Sequence, residues 1–170
     1  MTALRNMRML ARYAAWANRL LFQTLSSLPE NELTKMRHIV FGNILRTLNH
    51  VYVMDLVWQA HLEGRSHGFT TRNPETHPTF AELRAAQKQI DEWYISYADD
   101  ISEPVCDEIV NFVFVGGGSG SMSRGDILLH VVNHTTYHRG HIADMIYQIP
   151  ASPPTTDLPV FLRDVPLALP

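Results

Sequence analysis

His134 and His138 stand four residues apart in the segment His130-Val131-Val132-Asn133-His134-Thr135-Thr136-Tyr137-His138-Arg139-Gly140-His141. In a helix, at about 100° per residue, their directions differ by about 40° and their heights by about 6 Å, so both imidazoles can reach one ion. The apolar register of Ile127, Val131, Met145 and Ile149 places its intervening inward positions at 134, 138 and 141 or 142. Polar rings then sit where a core wants hydrocarbon. Each needs a partner, because an unsatisfied buried polar group costs on the order of 1–3 kcal/mol. Histidines hydrogen-bonded to core neighbours are one answer, and ligands to a metal ion are the other. An H-x-x-x-H pair alone is a common pattern, so a metal site needs a third ligand from another helix. His50, between Leu48 and Val51 on an apolar face, is the best candidate. His61 shares nearly the same azimuth but lies about 16 Å along the axis, too far to share the ion.

Four long helical segments must position these residues. The first is expected from Leu4 to Leu28, with Met7, Ala11, Ala14, Leu21 and Leu25 at helical spacing and Pro29 just beyond. A loop through Pro29, Glu30 and Asn31 leads to a second helix from Phe41 to Glu63, which Gly64 stops. Residues Arg65 to Pro78 read as a connecting loop. Thr79 and Glu82 form a T-x-x-E start signal for a third helix, whose stripe of Phe80, Leu83, Ile90, Trp93, Tyr94 and Tyr97 ends before Pro104. From Glu108 to Val115 the pattern turns β-branched and aromatic, and Gly116 to Gly120 follow, which suggests an extended segment or hairpin. Ser123 and Asp126 cap a fourth helix that Pro150 ends. The proline-rich tail from Ala151 to Pro170 is expected to lie as an irregular strap over the bundle. The fold class is therefore all-α, a four-helix bundle with crossover connections and a small extended or hairpin segment before the last long helix. The long connections between the second and third and between the third and fourth helices permit the crossovers.

Composition narrows the function. The chain has 170 residues, 45% of them hydrophobic, which suits one domain spanning residues 1–170. A formal net charge of -3 with only 18% charged residues provides no basic field for nucleic acid. No stretch approaches the roughly 20 apolar residues of a membrane span, and the segment Met1 to Arg12 lacks the form of a secretory signal. A cytoplasmic protein is expected. The single cysteine, Cys106, excludes an internal disulfide and a cysteine-built zinc site, and its acidic neighbours Asp107 and Glu108 disfavour a thiolate nucleophile. Gly116 to Gly120 lacks the Gly-Lys-Ser or Gly-Lys-Thr of a phosphate loop. Trp16, Trp58 and Trp93 read as core or interface anchors, and Arg139 as a salt-bridge or capping residue.

Three stretches carry a family resemblance. Tyr13-Ala14-Ala15-Trp16-Ala17-Asn18 is similar to the first-helix signature of the DinB family, the DNA-damage-inducible group related to YfiT-like metalloenzymes. Phe41-Gly42-Asn43-Ile44-Leu45-Arg46-Thr47-Leu48-Asn49-His50, continuing through Asp55, Trp58 and Leu62-Glu63-Gly64, resembles its second helix. The most specific match is Gly125-Asp126-Ile127-Leu128-Leu129-His130-Val131-Val132-Asn133-His134 through His138-Arg139-Gly140, which resembles the fourth. The resemblance implies a four-helix bundle, commonly dimeric, holding a divalent metal on three histidines, here His50, His134 and His138. One departure is visible, His141 where the family usually has an amide such as Gln. His130, four residues before His134, could replace His138 in the pair, but 130 and 138 are about 12 Å apart along the axis and cannot both serve one ion. We expect His130 and His141 to support or pack around the site.

Three neutral imidazoles leave a coordination position open, as catalytic sites do. All-nitrogen ligation suits Zn or Ni first, with Fe, Mn or Cu as further choices. Two chemistries are open, hydrolysis by a metal-bound hydroxide and activation of a small thiol for attack on an electrophile. The resemblance favours the second, because it implies relatives that use low-molecular-weight thiols such as bacillithiol and mycothiol. The chain has no H-E-x-x-H, and Asp55, the acid nearest His50 in sequence, lies about 140° round its helix, so no residue is assigned as a protein base or other catalytic group. The expected function is a divalent-metal-dependent thiol S-transferase-like enzyme, a homodimer acting on a small molecule. The competing readings are a non-catalytic metal-binding protein of the stress response and a metal-dependent hydrolase. A haem protein is a third use of histidines in a bundle.

Overall fold

The computed structural model describes residues 3–166. Its four long helices are α1 (Ala3–Leu25), α3 (Ile44–Leu62), α4 (Phe80–Asp100) and α6 (Arg124–Tyr147). Three short helices, α2 (Glu30–Thr34), α5 (Glu103–Cys106) and α7 (Leu158–Asp164), and one hairpin of β1 (Ile109–Val113) and β2 (Ser119–Ser123) join or cover them. Each long helix after α1 begins where a side chain takes over a free amide. Asn43 accepts from Arg46 N at 2.8 Å, Thr79 and Glu82 form a reciprocal capping box, and Ser123 accepts from Asp126 N at 3.0 Å. The second long helix therefore starts at Ile44, three residues later than the apolar pattern suggests, because Asn43 is the residue able to cap it.

Around the bundle α1 packs against α4 and α6, and α3 packs against the same two helices. Consecutive long helices α1 and α3 are thus diagonal, as are α4 and α6. The crossovers are the first and third connections. The long second connection joins the neighbours α3 and α4, and its length serves to cover the end of α3 where His50 lies.

The hairpin is antiparallel, with Ile109 opposite Ser123 and Phe112 opposite Gly120. Phe112 buries its ring against Trp58 of α3, with centroids 5.0 Å apart. A Cβ at Gly120 would fall 2.7 Å from that ring, so only glycine lets the aromatic pair close. Gly116, Gly117 and Gly118 all have positive φ and form the turn.

The tail corrects one expectation, since residues 158–164 form a helix and not an irregular strap. Proline acts as a breaker inside a helix but is tolerated in its first turn, and Pro159 occupies that turn after the N-cap Asp157. Residues 167–170, included in the expected strap, lie outside the described residues. Phe161 is fully buried by Tyr13 and Trp16, with ring centroids at 5.7 and 5.4 Å, while the Tyr13 hydroxyl donates to the Thr156 carbonyl at 2.8 Å. Among the described residues no helix is long and apolar enough to cross a membrane. Truncating Phe161 to Ala removes the ring that fastens the tail to α1. A loss of about 3–5 kcal/mol in urea unfolding is expected.

Candidate metal centre

Helices α3 and α6 lie side by side, and their inward polar positions meet at one height. Ligand nitrogens of His50, His134 and His138 all lie within 4.8 Å of one another, a group that could hold a metal ion. The ring centroids of His50 are 5.1 Å from His134 and 4.6 Å from His138, and those of His134 and His138 are 4.5 Å apart. His50 and His138 are buried and His134 is half-buried, so the cluster has a core side and a solvent side.

The nitrogen positions discriminate between the two ways of satisfying buried imidazoles. His50 Nδ1 donates to the Arg72 carbonyl at 2.9 Å, which fixes the tautomer and leaves a lone pair on Nε2. That Nε2 faces Nε2 of His134 at 3.1 Å. Buried Nδ1 atoms of His134 and His138 have no hydrogen-bond partner among the described residues. A core of hydrogen-bonded histidines would supply such partners, and among the described residues no carboxylate joins the group. Donors of one type, converging with incomplete hydrogen bonding, fit a divalent transition-metal ion.

Protonation points the same way. Burial, reinforced by the neighbouring rings of His138, His50 and His130, lowers the His134 pKa to about 3. Burial with His50 and His141 lowers His138 to about 4. His50 is also lowered by burial, against the stabilising bond to Arg72 and with the Arg72 charge acting in the same downward direction. At neutral pH all three rings are uncharged, the state in which imidazole is a ligand.

Phe41 roofs the cluster, its ring centred 4.2 Å from His50 and 5.5 Å from His138. The two flanking histidines continue the row along α6. His141 lies 5.2 Å from His138 and 4.5 Å from Tyr137, and its buried Nδ1 has no partner. His130 lies 5.8 Å from His134 and packs on Trp58 at 4.9 Å. Neither belongs to the converging group. His61 is likewise apart, packed on Trp58, Phe112 and His67. Among the described residues Arg139 makes no salt bridge, and its Nη2 donates to the Tyr13 hydroxyl and Thr136 Oγ1, each at 3.0 Å. Two contributors escape a reading by residue type. Phe41 reads only as the start of a helix, and the Arg72 carbonyl belongs to a segment that reads only as a connecting loop. A backbone acceptor leaves no mark in the sequence.

A sequence model described as the DinB family matches residues 2–165. Protein DinB of Bacillus subtilis (strain 168) is 29% identical over 162 residues, covering 90% of this chain and 91% of its own.

The lowered histidine pKa values set a pH dependence for the metal-free protein. Between the folded values of about 3 and 4 and the unfolded value of 6.5, the unfolded chain binds more protons, so stability rises with pH. That contribution is complete above about pH 6.5 and lost as pH falls toward 4. In chelator-treated protein, the urea midpoint should fall across this window, and His134→Gln should flatten the fall.

Proposed function

The chain belongs to the DinB family, and from that premise we propose that it is a divalent-metal-dependent enzyme that activates a low-molecular-weight thiol for attack on an electrophile. The observation carrying the reading is the convergence of three uncharged imidazoles, incompletely hydrogen-bonded, at a site with one side toward solvent. His50, His134 and His138 would hold the ion, Zn or Ni in first place. When bound, such an ion supplies Lewis acidity that lowers the pKa of a water or thiol at its open position.

The residues of the chain supply orientation and shielding. The Arg72 carbonyl turns His50 so that its Nε2 lone pair points into the cluster, and Phe41 keeps water from the core side of the rings. Half-buried His134 borders the side from which a small substrate can enter. The absence of any carboxylate from the converging group supports thiol transfer over hydrolysis, because a hydrolase normally uses such a base to take a proton from water. In the transfer, a sulfur–carbon bond forms, the electrophile's leaving group departs with its electron pair, and the thiol proton is released to water. The reading includes a homodimer, for which the exposed Leu129, Tyr137 and Tyr147 along α6 offer apolar surface.

Elemental analysis of protein purified without an affinity tag that carries histidines should find about one transition-metal ion per chain, lost in His50→Ala and His134→Ala. Metal-loaded protein should then conjugate at least one of a panel of small thiols to a haloarene, with saturation in the thiol. Metal without saturable conjugation would leave a metal-binding protein, and no metal uptake from Zn, Ni, Fe, Mn or Cu salts would remove the basis of both readings. Sedimentation at two protein concentrations checks the dimer.

A further inference from the structure

A second polar group occupies the bundle core away from the α3–α6 edge that holds the histidines. Asn18 of α1, Asp55 of α3, and Gln87 and Asp91 of α4 meet there. Gln87 Nε2 donates to Asp55 Oδ2 at 2.8 Å and to Asp91 Oδ1 at 3.0 Å. Asn18 Nδ2 donates to both Asp91 oxygens, at 3.0 and 3.2 Å. A single amide group therefore bridges two carboxyls. Asp55 is 2% exposed, and its Oδ1 has no partner among the described residues. With Asn18, Asp91 and Thr135 it lines an internal cavity of about 20 Å3 whose other walls are apolar or aromatic. That space suits one water molecule and no hydrated ion.

From α6 the buried Arg139 acts on Asp91 through space, while its Nη2 donates to Tyr13 and Thr136 and its Nη1 has no partner among the described residues. Arg12 and Arg19 of α1 and Arg84 and Lys88 of α4 share with Asp91 and Gln87 the lining of an open pocket on the outer side of these helices. On α4, Glu92 adds negative charge beside Asp91, and the Tyr94 hydroxyl donates to the Asp55 backbone carbonyl at 2.7 Å. Tyr52 of α3 faces Asp55 without neutralising it. The Arg139 guanidinium acts on Asp91 without bonding it, and no cation among the described residues acts on Asp55. An ionised Asp55 would leave a charged oxygen without a protein partner in a mainly apolar cavity with room for one water molecule, whereas a neutral acid there costs much less.

We propose that Asp55, Gln87 and Asp91 form a proton-binding site in which Asp55 holds its proton, on Oδ1, to higher pH than Asp91, so that Asp91 is the member of the pair that ionises first. The oxygen assignment follows from Oδ2 accepting the Gln87 amide hydrogen. Burial is the leading cause that pushes Asp55 well above the usual carboxylate range and Asp91 to about 7, the latter held down in part by Gln87, Asn18 and Arg139. The site is a pH-sensitive clasp between α3 and α4. Raising pH removes the proton and sets two like charges on one amide.

The sign is opposite to that of the histidines. A carboxyl raised in the folded state binds a proton that the unfolded chain has already released, so stability falls as pH rises from the unfolded value toward the folded one. For one proton the folding equilibrium constant falls by up to about tenfold per pH unit. The histidine effect is complete above about pH 6.5, and Asp91, raised to about 7, loses its proton across neutrality, so the part of the fall that Asp91→Asn retains and Asp55→Asn removes reports Asp55.

Urea unfolding of the protein as purified should show that fall. Asp55→Asn should flatten it, and Asp91→Asn should retain it. An unchanged slope in Asp55→Asn would overturn the proposal. Infrared spectroscopy gives a second reading that needs no variant, because exposed carboxylates are ionised at neutral pH and an uncharged carboxyl stretch then reports a buried acid. At about pH 8, where Asp91 is mostly ionised, the wild-type protein should show that band, Asp91→Asn should keep it and Asp55→Asn should lose it. A wild-type spectrum without the band overturns the proposal even if Asp55→Asn does not fold.

Discussion

Placing polar groups inside a helical bundle demands that each find a partner, and the neighbour relation between α3 and α6 is what this chain uses to meet that demand at its histidines. His50 comes from one helix and the His134–His138 pair from the other, so their convergence exists only while the two helices pack at a fixed height. Asn43 sets where α3 begins and Ser123 where α6 begins, and both are side-chain caps that fix the phase of a helix against the chain before it. The Phe112–Trp58 contact adds a third constraint by tying the hairpin that leads into α6 to the middle of α3. The cluster is thus positioned from both ends of its elements and not by contacts among the rings themselves.

The diagonal topology explains why the second connection matters. Because α3 and α4 are neighbours, the segment between them has chain to spare, and it folds back over α3. Asn73 of that segment accepts from Asn49 at 3.0 Å and donates to the Arg46 carbonyl at 3.1 Å, which holds the adjoining Arg72 carbonyl against His50. The ring on the helix is oriented by a backbone group on the loop, and the loop is held in turn by an asparagine next to that ring in sequence. Such reciprocal fixing is what a ligand needs in order to present one nitrogen in one direction.

Much of this was legible in residue order. Helical spacing allowed His134 to pair with either His130 or His138 and forbade all three from sharing one ion, and distance along one helix kept His50 and His61 apart. The capping box at Thr79 is visible as a T-x-x-E string because both of its bonds are local. What escaped is what residue type does not encode. The diagonal order of the helices depends on packing among all four, and the Arg72 acceptor is a carbonyl that any residue would supply. The helix around Phe161 hides in a proline-rich tail, although a proline in a first turn breaks nothing. Asp55 shows in the sequence only as an acid on the helix of His50. Its partners Gln87, Asp91 and Asn18 lie on two other helices, so no local pattern joins them.

The two polar groups of the core follow one rule by opposite routes. A buried site of low dielectric disfavours the charged form of whatever group it holds. For imidazoles the favoured form is the deprotonated one, which bears a lone pair, and three of them together create a demand for a Lewis acid. For carboxyls the favoured form is the protonated one, which removes a charge and leaves a donor. Burial therefore turns the first cluster into a site for a cation and the second into a site for a proton. Arg139 is next to His138 on α6 and within electrostatic reach of Asp91. Its bonds to Tyr13 and Thr136 keep the guanidinium away from the imidazoles, whose neutrality a direct contact would disturb less than it would block the lone pairs they offer.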